Sequence, residues 1–291
     1  MLRLPFFMLL ILGLSQTTNG QKPSKKDFVI TIKTNYGEMV VILSDETPKH
    51  KANFIKLAKE HYFDSLLFHR VISGFMIQGG DPNSKKAKPG EALGNGGPGY
   101  LIDGEFSPKL FHKKGALAAA RTNNPEKASS GSQFYIIQGK VLTGSAAEEL
   151  KIDQPKLRQA LQQFLAKPER ASLRDSLSKL YSTTTREAFN KKVFSLVPQI
   201  EKETGTKLTK DVSPEMIKAY TTIGGTPHLD GDYTVFGEII KGLDVLDKIA
   251  GVKKDGADRP LEDVRMFVSV EELSKKKITK LYGYQYPTVK K

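Results

Sequence analysis

Apolar and polar residues alternate along several short segments of the chain. Residues 28–34 have the two-residue period of a half-buried strand, Asn35-Tyr36-Gly37 supplies a turn, and residues 38–43 form the return strand. Residues 66–78 hold two apolar runs separated by Ser73-Gly74, as two paired strands would. Strand character is also found at residues 116–120, 134–138, 233–240 and 264–270.

Only two helices are predicted among these strands. Thr47 and Pro48 provide an N-cap and a first-turn proline for a helix that reaches about residue 60. A second, shorter helix is predicted at residues 243–250, with its inner face formed by Leu243, Leu246 and Ile249. Many short strands with only two helices favour a closed antiparallel β-barrel.

Residues 140–222 follow a helical pattern instead. A first helix begins after Asp153 and Pro155, a third is disturbed at its last turn by Pro198, and a short fourth follows Ser213-Pro214. The apolar positions at helical spacing are Leu157, Leu161, Phe164 and Leu165, then Leu173, Leu177 and Leu180, then Phe189, Val193, Leu196, Val197 and Ile200. A segment of this length is too long for an ordinary loop. We predict an all-α insertion that forms a small subdomain.

The first twenty residues resemble a secretory signal peptide. Arg3 is followed by an apolar run at residues 4–14 and by small polar residues up to Gly20, where cleavage is expected. The apolar run is shorter than the ~20 residues that a membrane span needs. The prediction is an exported protein, periplasmic or secreted, and the alternative is an N-terminal membrane anchor.

The net charge is +13, or +12 without Arg3. The lysines are scattered, and no stretch combines dense basic residues with a stacking platform, so nucleic-acid binding is not expected. The chain has no cysteine, which excludes disulfides and a lipid-modified cysteine. An exported basic protein is expected to meet anionic surfaces or acidic clients.

The chain ends in a basic tail, residues 273–291, in which lysines are interleaved with Tyr282, Tyr284 and Tyr286. A solvated flexible end is the prediction for such a segment. The alternative is a strap against the domain, or a contact with an anionic partner.

Candidate chemistry lies in residues 68–81. Arg70, Phe75, Met76 and Gln78 occur within nine positions, among residues that otherwise indicate buried strands. An arginine rarely enters an apolar patch unless its fixed charge and its fork of donors are needed there. The segment therefore predicts an apolar pocket with one cationic donor in its wall.

Other chemistries find little support. His69 is interpreted as a buried structural residue, and the histidines at positions 50, 61, 69, 112 and 228 lack metal-ligand spacing. The glycine-rich residues 94–99 lack the context of a phosphate-binding loop. No metal and no cofactor are expected.

Three segments, residues 68–81, 131–135 and 229–237, resemble the cyclophilin family of peptidyl-prolyl isomerases. The resemblance covers residues 28–139 and 223–270. It implies an eight-stranded antiparallel barrel with two capping helices. It divides the chain into a signal segment (1–20), a discontinuous barrel domain (21–139 and 223–272), the helical insertion (140–222) and the tail (273–291).

The resemblance also assigns site residues. The family's catalytic arginine falls on Arg70 and its supporting glutamine on Gln78, while the backbone of Arg121 is expected to pair with the substrate. Tyr135 stands where a phenylalanine is usual, Tyr233 where many members have histidine, and His228 where a tryptophan is associated with cyclosporin binding. The substrate-binding positions are thus Phe75, Met76, Ala120, Arg121, Gln133, Tyr135, His228, Leu229 and Tyr233.

The expected function is catalysis of X–Pro rotation in unfolded or secreted polypeptides, with Arg70 donating to the prolyl nitrogen. The alternative is a proline-peptide binding module or holdase in which the helical insertion is the main functional surface. A monomer is favoured, and self-association through the insertion is a further alternative.

Overall fold

The computed structural model of the protein describes residues 24–287, so the signal segment predicted at residues 1–20 lies outside the described residues. Eight antiparallel strands close into a barrel, as predicted. The barrel strands are β1 (Lys26–Thr34), β2 (Gly37–Leu43), β3 (Leu66–Ile72), β4 (Met76–Gly79), β6 (Ala116–Ala119), β8 (Phe134–Ile137), β9 (Val235–Lys241) and β10 (Arg265–Ser274). Two further strands, β5 (Leu101–Ile102) and β7 (Ser129–Ser130), pair outside it. Around the barrel the order is β1-β10-β3-β4-β8-β6-β9-β2.

The α-helices lie at four places along the chain. Two of them, α1 (Pro48–Lys59) and α8 (Leu243–Ala250), pack against the barrel core. Between β8 and β9 lie α2 (Ser145–Glu149), α3 (Gln154–Leu165), α4 (Ala171–Thr183), α5 (Arg186–Ser195), α6 (Val197–Thr204) and α7 (Pro214–Thr222). After β10 follows α9 (Lys275–Tyr282). Across residues 24–287, no helix is both long enough and apolar enough to cross a membrane.

The barrel core is built from one face of each strand together with aromatic side chains at its end. Phe54 of α1 stacks on Phe63, with ring centroids 4.7 Å apart, and meets Phe134 of β8 edge to face. From α8, Leu246 is fully buried as predicted. Leu243 is 38% exposed, so its predicted place on the inner face of this helix was wrong. It is the first residue of the helix.

The helices between β8 and β9 bury their apolar faces against one another. Phe164 and Ile200 are fully buried at the centre of this second core. The predicted third helix is in fact two, because Pro198 lies in the first turn of α6 and the chain breaks at Leu196. Proline has no N–H to donate and suits a helix start better than a helix end. The short helix α2 was not predicted.

This insertion leaves the barrel and returns to it at neighbouring points. Lys140 and Gly225 form an isolated antiparallel bridge, and Gly225 also bridges to Lys113. Tyr220 of α7 is fully buried and packs on Phe111, with ring centroids 5.5 Å apart. The insertion is therefore anchored to the barrel through α7.

Residues 273–287 of the tail lie on the barrel surface, so the prediction of a solvated flexible end was wrong for this part. Ser274 caps α9 by accepting a hydrogen bond from the Lys277 N–H. Ile278 is fully buried, and with Leu273 it packs on apolar residues of β1 and β2. Tyr284 and Tyr286 extend this cluster. The tail forms a strap, which was the alternative prediction.

Replacing Ile278 with alanine is expected to destabilise the protein by about 2 kcal/mol, the lower end of the range for a buried isoleucine. The loss would appear in the free energy of unfolding from urea titration. Lys276→Ala, an exposed change in the same helix, is the matched control. Equal stability of the two variants would contradict a stabilising role for the strap.

Candidate active site

A cavity of about 120 Å³ contains nine of the eleven predicted site residues in its wall. The lining residues are Arg70, Phe75, Met76, Gln78, Ala120, Arg121, Tyr135, Leu229 and Tyr233. The other two are adjacent. His228 stacks on Phe75, with ring centroids 5.8 Å apart, and Gln133 is hydrogen-bonded to Gln78. The structure brings all eleven together.

Strand alternation explains how this wall forms. Met76 and Gln78 are two positions apart on β4, so they share a face, while Ile77 between them points into the barrel core. Gln78 pairs in register with Arg70 of β3 on one side and with Tyr135 of β8 on the other. The polar and aromatic residues of the site therefore lie side by side on the outer face of three adjacent strands.

A chain of hydrogen bonds orients the Arg70 guanidinium. Arg70 Nη1 donates to Gln78 Oε1 at 3.4 Å, and Gln78 Nε2 donates to Gln133 Oε1 at 3.1 Å. Gln133 is 6% exposed, and its Nε2 donates to the backbone oxygens of Gly94 and Gly96 at 2.8 and 2.7 Å. The exposed arginine is thus tied to a buried amide and through it to a loop.

The loop that contains Gly94 and Gly96 is fixed by hydrogen bonds to Asp81. Its fully buried carboxylate accepts hydrogen bonds from the N–H groups of Gly94, at 2.5 Å, and Gly96, at 3.2 Å. It also accepts from the Asn83 N–H at 2.8 Å. Gly94 has φ +106°, a conformation that side chains rarely adopt. Asp81 was not among the predicted site residues, although an aspartate followed by a proline is a usual signal for such a cap.

Replacing Gln133 with leucine is expected to lower kcat/KM for proline peptides about tenfold or more, because small misplacements of a catalytic group are costly. Gln78 and two backbone oxygens would lose their partner. Steady-state kinetics with a chromogenic proline peptide would measure the effect. Gln163→Leu on the exposed side of α3 is the control, and equal activity of the two variants would contradict the orienting role.

The Tyr135 hydroxyl has a buried partner. It lies 3.0 Å from His112 Nε2, and His112 Nδ1 lies 2.8 Å from Asp230 Oδ1. A carboxylate only accepts, so Nδ1 donates to it, and Nε2 then accepts from the tyrosine hydroxyl. Burial raises the pKa of Tyr135 well above its ordinary value, which keeps this hydroxyl a donor.

The same chain reaches the insertion. Tyr220 of α7 donates to Asp230 Oδ2 at 2.6 Å. Tyr135, His112, Asp230 and Tyr220 therefore form one relay of hydrogen bonds from the cavity to the anchoring helix, buried except at Asp230, whose side chain is 20% exposed. His112, Asp230 and Tyr220 were not predicted as site residues. The one sequence signal for them was that a buried tyrosine hydroxyl at position 135 needs a hydrogen-bond partner.

Ala120 and Arg121 are neighbours in the wall of the cavity and make different contacts. The backbone of Ala120 is already paired, since its N–H donates to Gln133 O and its oxygen accepts from Ser130 N–H. The Arg121 guanidinium lies over the Tyr233 ring, 4.6 Å from its centroid, and its Nε donates to Asp232 O at 2.8 Å.

Burial lowers the pKa of His228, which favours the neutral form of the imidazole that stacks on Phe75.

His69 is 4% exposed, and both of its ring nitrogens lack a hydrogen-bond partner among the described residues. Burial lowers its pKa from 6.5 to about 4. The unfolded chain therefore binds the proton more readily, so His69 costs stability as the pH falls from 6.5 to about 4.

We expect the free energy of unfolding to fall across this pH window, and His69→Leu to flatten the profile. Urea titrations at several pH values would measure it. His61→Asn removes an exposed histidine, 77% accessible, and should leave the profile unchanged. Parallel profiles for the wild type and His69→Leu would contradict the assignment.

Comparison with known families adds a decisive match. The profile described as cyclophilin type peptidyl-prolyl cis-trans isomerase/CLD matches residues 29–151 and 215–270, which is more than half of the chain. The chain belongs to the cyclophilin family. Its enzyme class is that of the family, peptidyl-prolyl cis–trans isomerase. The internal stretch between the two matched segments, residues 152–214, lies within the helical insertion.

Two relatives and one solved structure are similar to this cyclophilin. A bifunctional phosphatase/peptidyl-prolyl cis–trans isomerase of Streptococcus pyogenes is 34% identical over 81% of this chain, which spans only 37% of that protein. A peptidyl-prolyl cis–trans isomerase of Staphylococcus saprophyticus is 30% identical over 81% of this chain and 87% of its own. A cyclophilin-type isomerase from Cryptosporidium parvum aligns with a TM-score of 0.49 at 19% identity, covering 84% of this chain and 98% of its own.

Proposed function

We propose that this cyclophilin accelerates rotation about X–Pro bonds in unfolded or secreted polypeptides, with Arg70 donating to the prolyl nitrogen. The observation that carries the proposal is the position of Arg70, held by Gln78, in the wall of a small cavity that Phe75 and Met76 also line. The client class follows from the signal-like residues 1–20, which predict export to the periplasm or the cell exterior.

The chemistry follows from the amide bond. The X–Pro bond favours trans only slightly, yet rotation meets a barrier of ~18–20 kcal/mol, because the C–N bond has double-bond character. Twisting the bond localises a lone pair on the prolyl nitrogen. A guanidinium that donates to this nitrogen stabilises the twisted state more than either planar state, and such selective stabilisation lowers the barrier.

The cavity binds the proline ring of the substrate and excludes water from the bond that rotates. Phe75, Met76, Tyr135 and Leu229 offer an apolar surface to the proline ring. Met76 is 2% exposed and Tyr135 is 5% exposed, so both are fixed by packing. A volume of about 120 Å³ suits one small ring. An apolar surrounding also favours the less dipolar twisted amide.

The test is the exchange rate of X–Pro peptides in the presence of the chain from residue 21. Uncatalysed exchange takes ~10–100 s, so a protease-coupled assay or NMR exchange spectroscopy resolves the acceleration. If the rate of catalysed exchange does not depend on the residue X before the proline, the enzyme accepts a broad range of client polypeptides. Absence of any acceleration by the folded protein would overturn the proposal.

A further inference from the structure

The outer side of α9 carries a row of basic side chains. Lys276, Lys277 and Lys280 are all exposed and lie on the side of the helix away from the buried Ile278, because residues three and four apart share a helix face. Leu281, which is 54% exposed, follows Lys277 by four positions and lies on the same side. These three lysines and Leu281 form the basic face of α9.

The net charge of the chain is concentrated in two short segments, of which α9 belongs to one. Residues 21–27 and 273–291 contain nine lysines and one acidic residue, Asp27. Nine positive charges and one negative charge give +8, out of a net charge of +13 for the whole chain. Fewer than one tenth of the residues therefore carry more than half of the net charge.

The fold brings the described parts of these two segments together at one edge of the barrel. Lys26 of β1 pairs in register with Ser274, the N-cap residue of α9. The Lys275 N–H donates to the Lys25 oxygen at 2.9 Å. The residues that precede Ser24 therefore join the fold beside the beginning of α9.

The carboxylates that face this edge are already paired with lysines. The pairs are Asp27–Lys51 at 2.7 Å, Asp45–Lys51 at 2.6 Å, Asp45–Lys275 at 3.7 Å, Glu238–Lys113 at 2.6 Å, Glu271–Lys277 at 4.0 Å and Glu272–Lys26 at 3.0 Å. Within residues 24–287, the ammonium groups of Lys25, Lys276 and Lys280 have no carboxylate within 4.0 Å. Three exposed ammonium groups therefore remain free after every pair is counted.

The basic face of α9 lies across the barrel from the proline cavity. Ile278 packs on apolar residues of β1 and β2. The cavity lies on β4, β8 and β6, and in the closed strand order β1 is four strands away from β8 in either direction. A surface that binds α9 therefore leaves the proline cavity open to clients.

We propose that the basic face of α9 binds an anionic phospholipid membrane and holds the protein there with its proline cavity turned outward. The free ammonium groups complement the phosphate charges, and each lysine near such a surface adds to the binding. Leu281 favours lipid over a hydrated acidic polypeptide, because a bilayer can bury its exposed side chain. The inference concerns where the protein works and does not depend on the proposed chemistry of Arg70.

The path of the chain supports a membrane as the partner. The apolar run at residues 4–14 enters a membrane when it acts as a signal segment, and residues 15–24 connect this run to the edge beside α9. Ten extended residues span at most ~36 Å. A membrane that holds the apolar run is therefore within reach of the basic face.

The test is co-sedimentation of the chain from residue 21 with lipid vesicles. One set consists of phosphatidylcholine, and the other contains roughly one third phosphatidylglycerol, which supplies the negative charge. We expect binding to the anionic vesicles alone, weakened about tenfold or more at high salt. Turnover of a proline tetrapeptide should be equal with and without anionic vesicles, and inhibition by them would contradict the outward orientation of the cavity.

Lys276→Gln/Lys280→Gln should weaken binding to the anionic vesicles roughly tenfold to thirtyfold, since each lysine near the surface contributes about fivefold. Lys191→Gln/Lys192→Gln changes two exposed lysines of α5, has the same net charge and should bind like the wild type. Thermal unfolding should be the same for both variants. A wild type that does not bind, equal binding to uncharged vesicles, or equal losses in the two variants would overturn the inference.

Leu281→Gln separates a membrane from an acidic polypeptide as the partner. This change should weaken vesicle binding about threefold, because an apolar side chain is no longer buried in the bilayer. Binding to polyglutamate, measured in parallel, should be weaker than binding to the vesicles and unchanged by the substitution. Tighter binding to polyglutamate, or vesicle binding that is insensitive to Leu281→Gln, would overturn the assignment to lipid.

Discussion

Arg70→Ala is expected to lower kcat/KM for X–Pro exchange by roughly 10²–10³, the usual effect of removing one preorganised donor from a transition state. The side chain is exposed, and its described hydrogen bond is the one to Gln78 at 3.4 Å. The barrel core does not depend on it. The loss should therefore fall on catalysis and leave stability nearly unchanged.

The measurement is steady-state kinetics on a proline tetrapeptide, paired with thermal unfolding of each variant. Arg70→Lys keeps the charge but loses the planar fork, so its activity should lie between those of the wild type and Arg70→Ala. Arg158→Ala, at an exposed position of α3, should have no effect. Wild-type activity in a folded Arg70→Ala protein would disprove the assigned role.

Asp230→Ala is expected to destabilise the protein by about 3 kcal/mol, because it leaves buried polar groups without a partner. The affected groups are the His112 ring, 1% exposed, and the fully buried Tyr220 hydroxyl. Tyr135 would lose the orientation of its own partner. Proline-peptide turnover should therefore fall together with stability.

The control is Asp232→Ala, two positions away, whose carboxylate is 51% exposed and pairs with Lys127 on the surface. This change should cost less than 1 kcal/mol, the usual limit for an exposed pair. Tyr220→Phe removes only the bond from the insertion and should give an intermediate loss. Urea titrations decide the order, and equal stability of the Asp230 and Asp232 variants would contradict the relay of hydrogen bonds.

Much of the barrel could be predicted from local sequence. All eight barrel strands show either two-residue alternation or a short apolar run, and these patterns directly reflect which side chains face the core. The break at Pro198 was placed at the wrong end of a helix, since the apolar spacing runs on across it. The strap at Ile278 was not preferred, because lysines dominate its sequence and only three-dimensional packing shows the apolar edge.

In the site, too, the features carried by local motifs could be predicted and the contacts between distant residues could not. Its eleven predicted residues come together because short motifs carry them, and strand register does the rest. The relay behind Tyr135 was not predictable, since His112 and Asp230 lie 118 positions apart and no spacing rule links them. Tyr220 lies ten positions before Asp230, and no spacing rule links these two residues either.

The bridge between Lys140 and Gly225 has a consequence for how such a chain can diversify. The two ends of the insertion meet as neighbouring backbones. A side chain on Gly139 would collide with the Gly225 backbone, and one on Gly225 would collide with the His112 oxygen and the Tyr220 ring. A loop whose ends already touch costs the barrel only ~0.6 kcal/mol more for each doubling of its length. Insertions of different length can therefore be accommodated at this junction without strain on the catalytic strands. A replacement segment would have to supply a counterpart of Tyr220, which reaches back to Asp230.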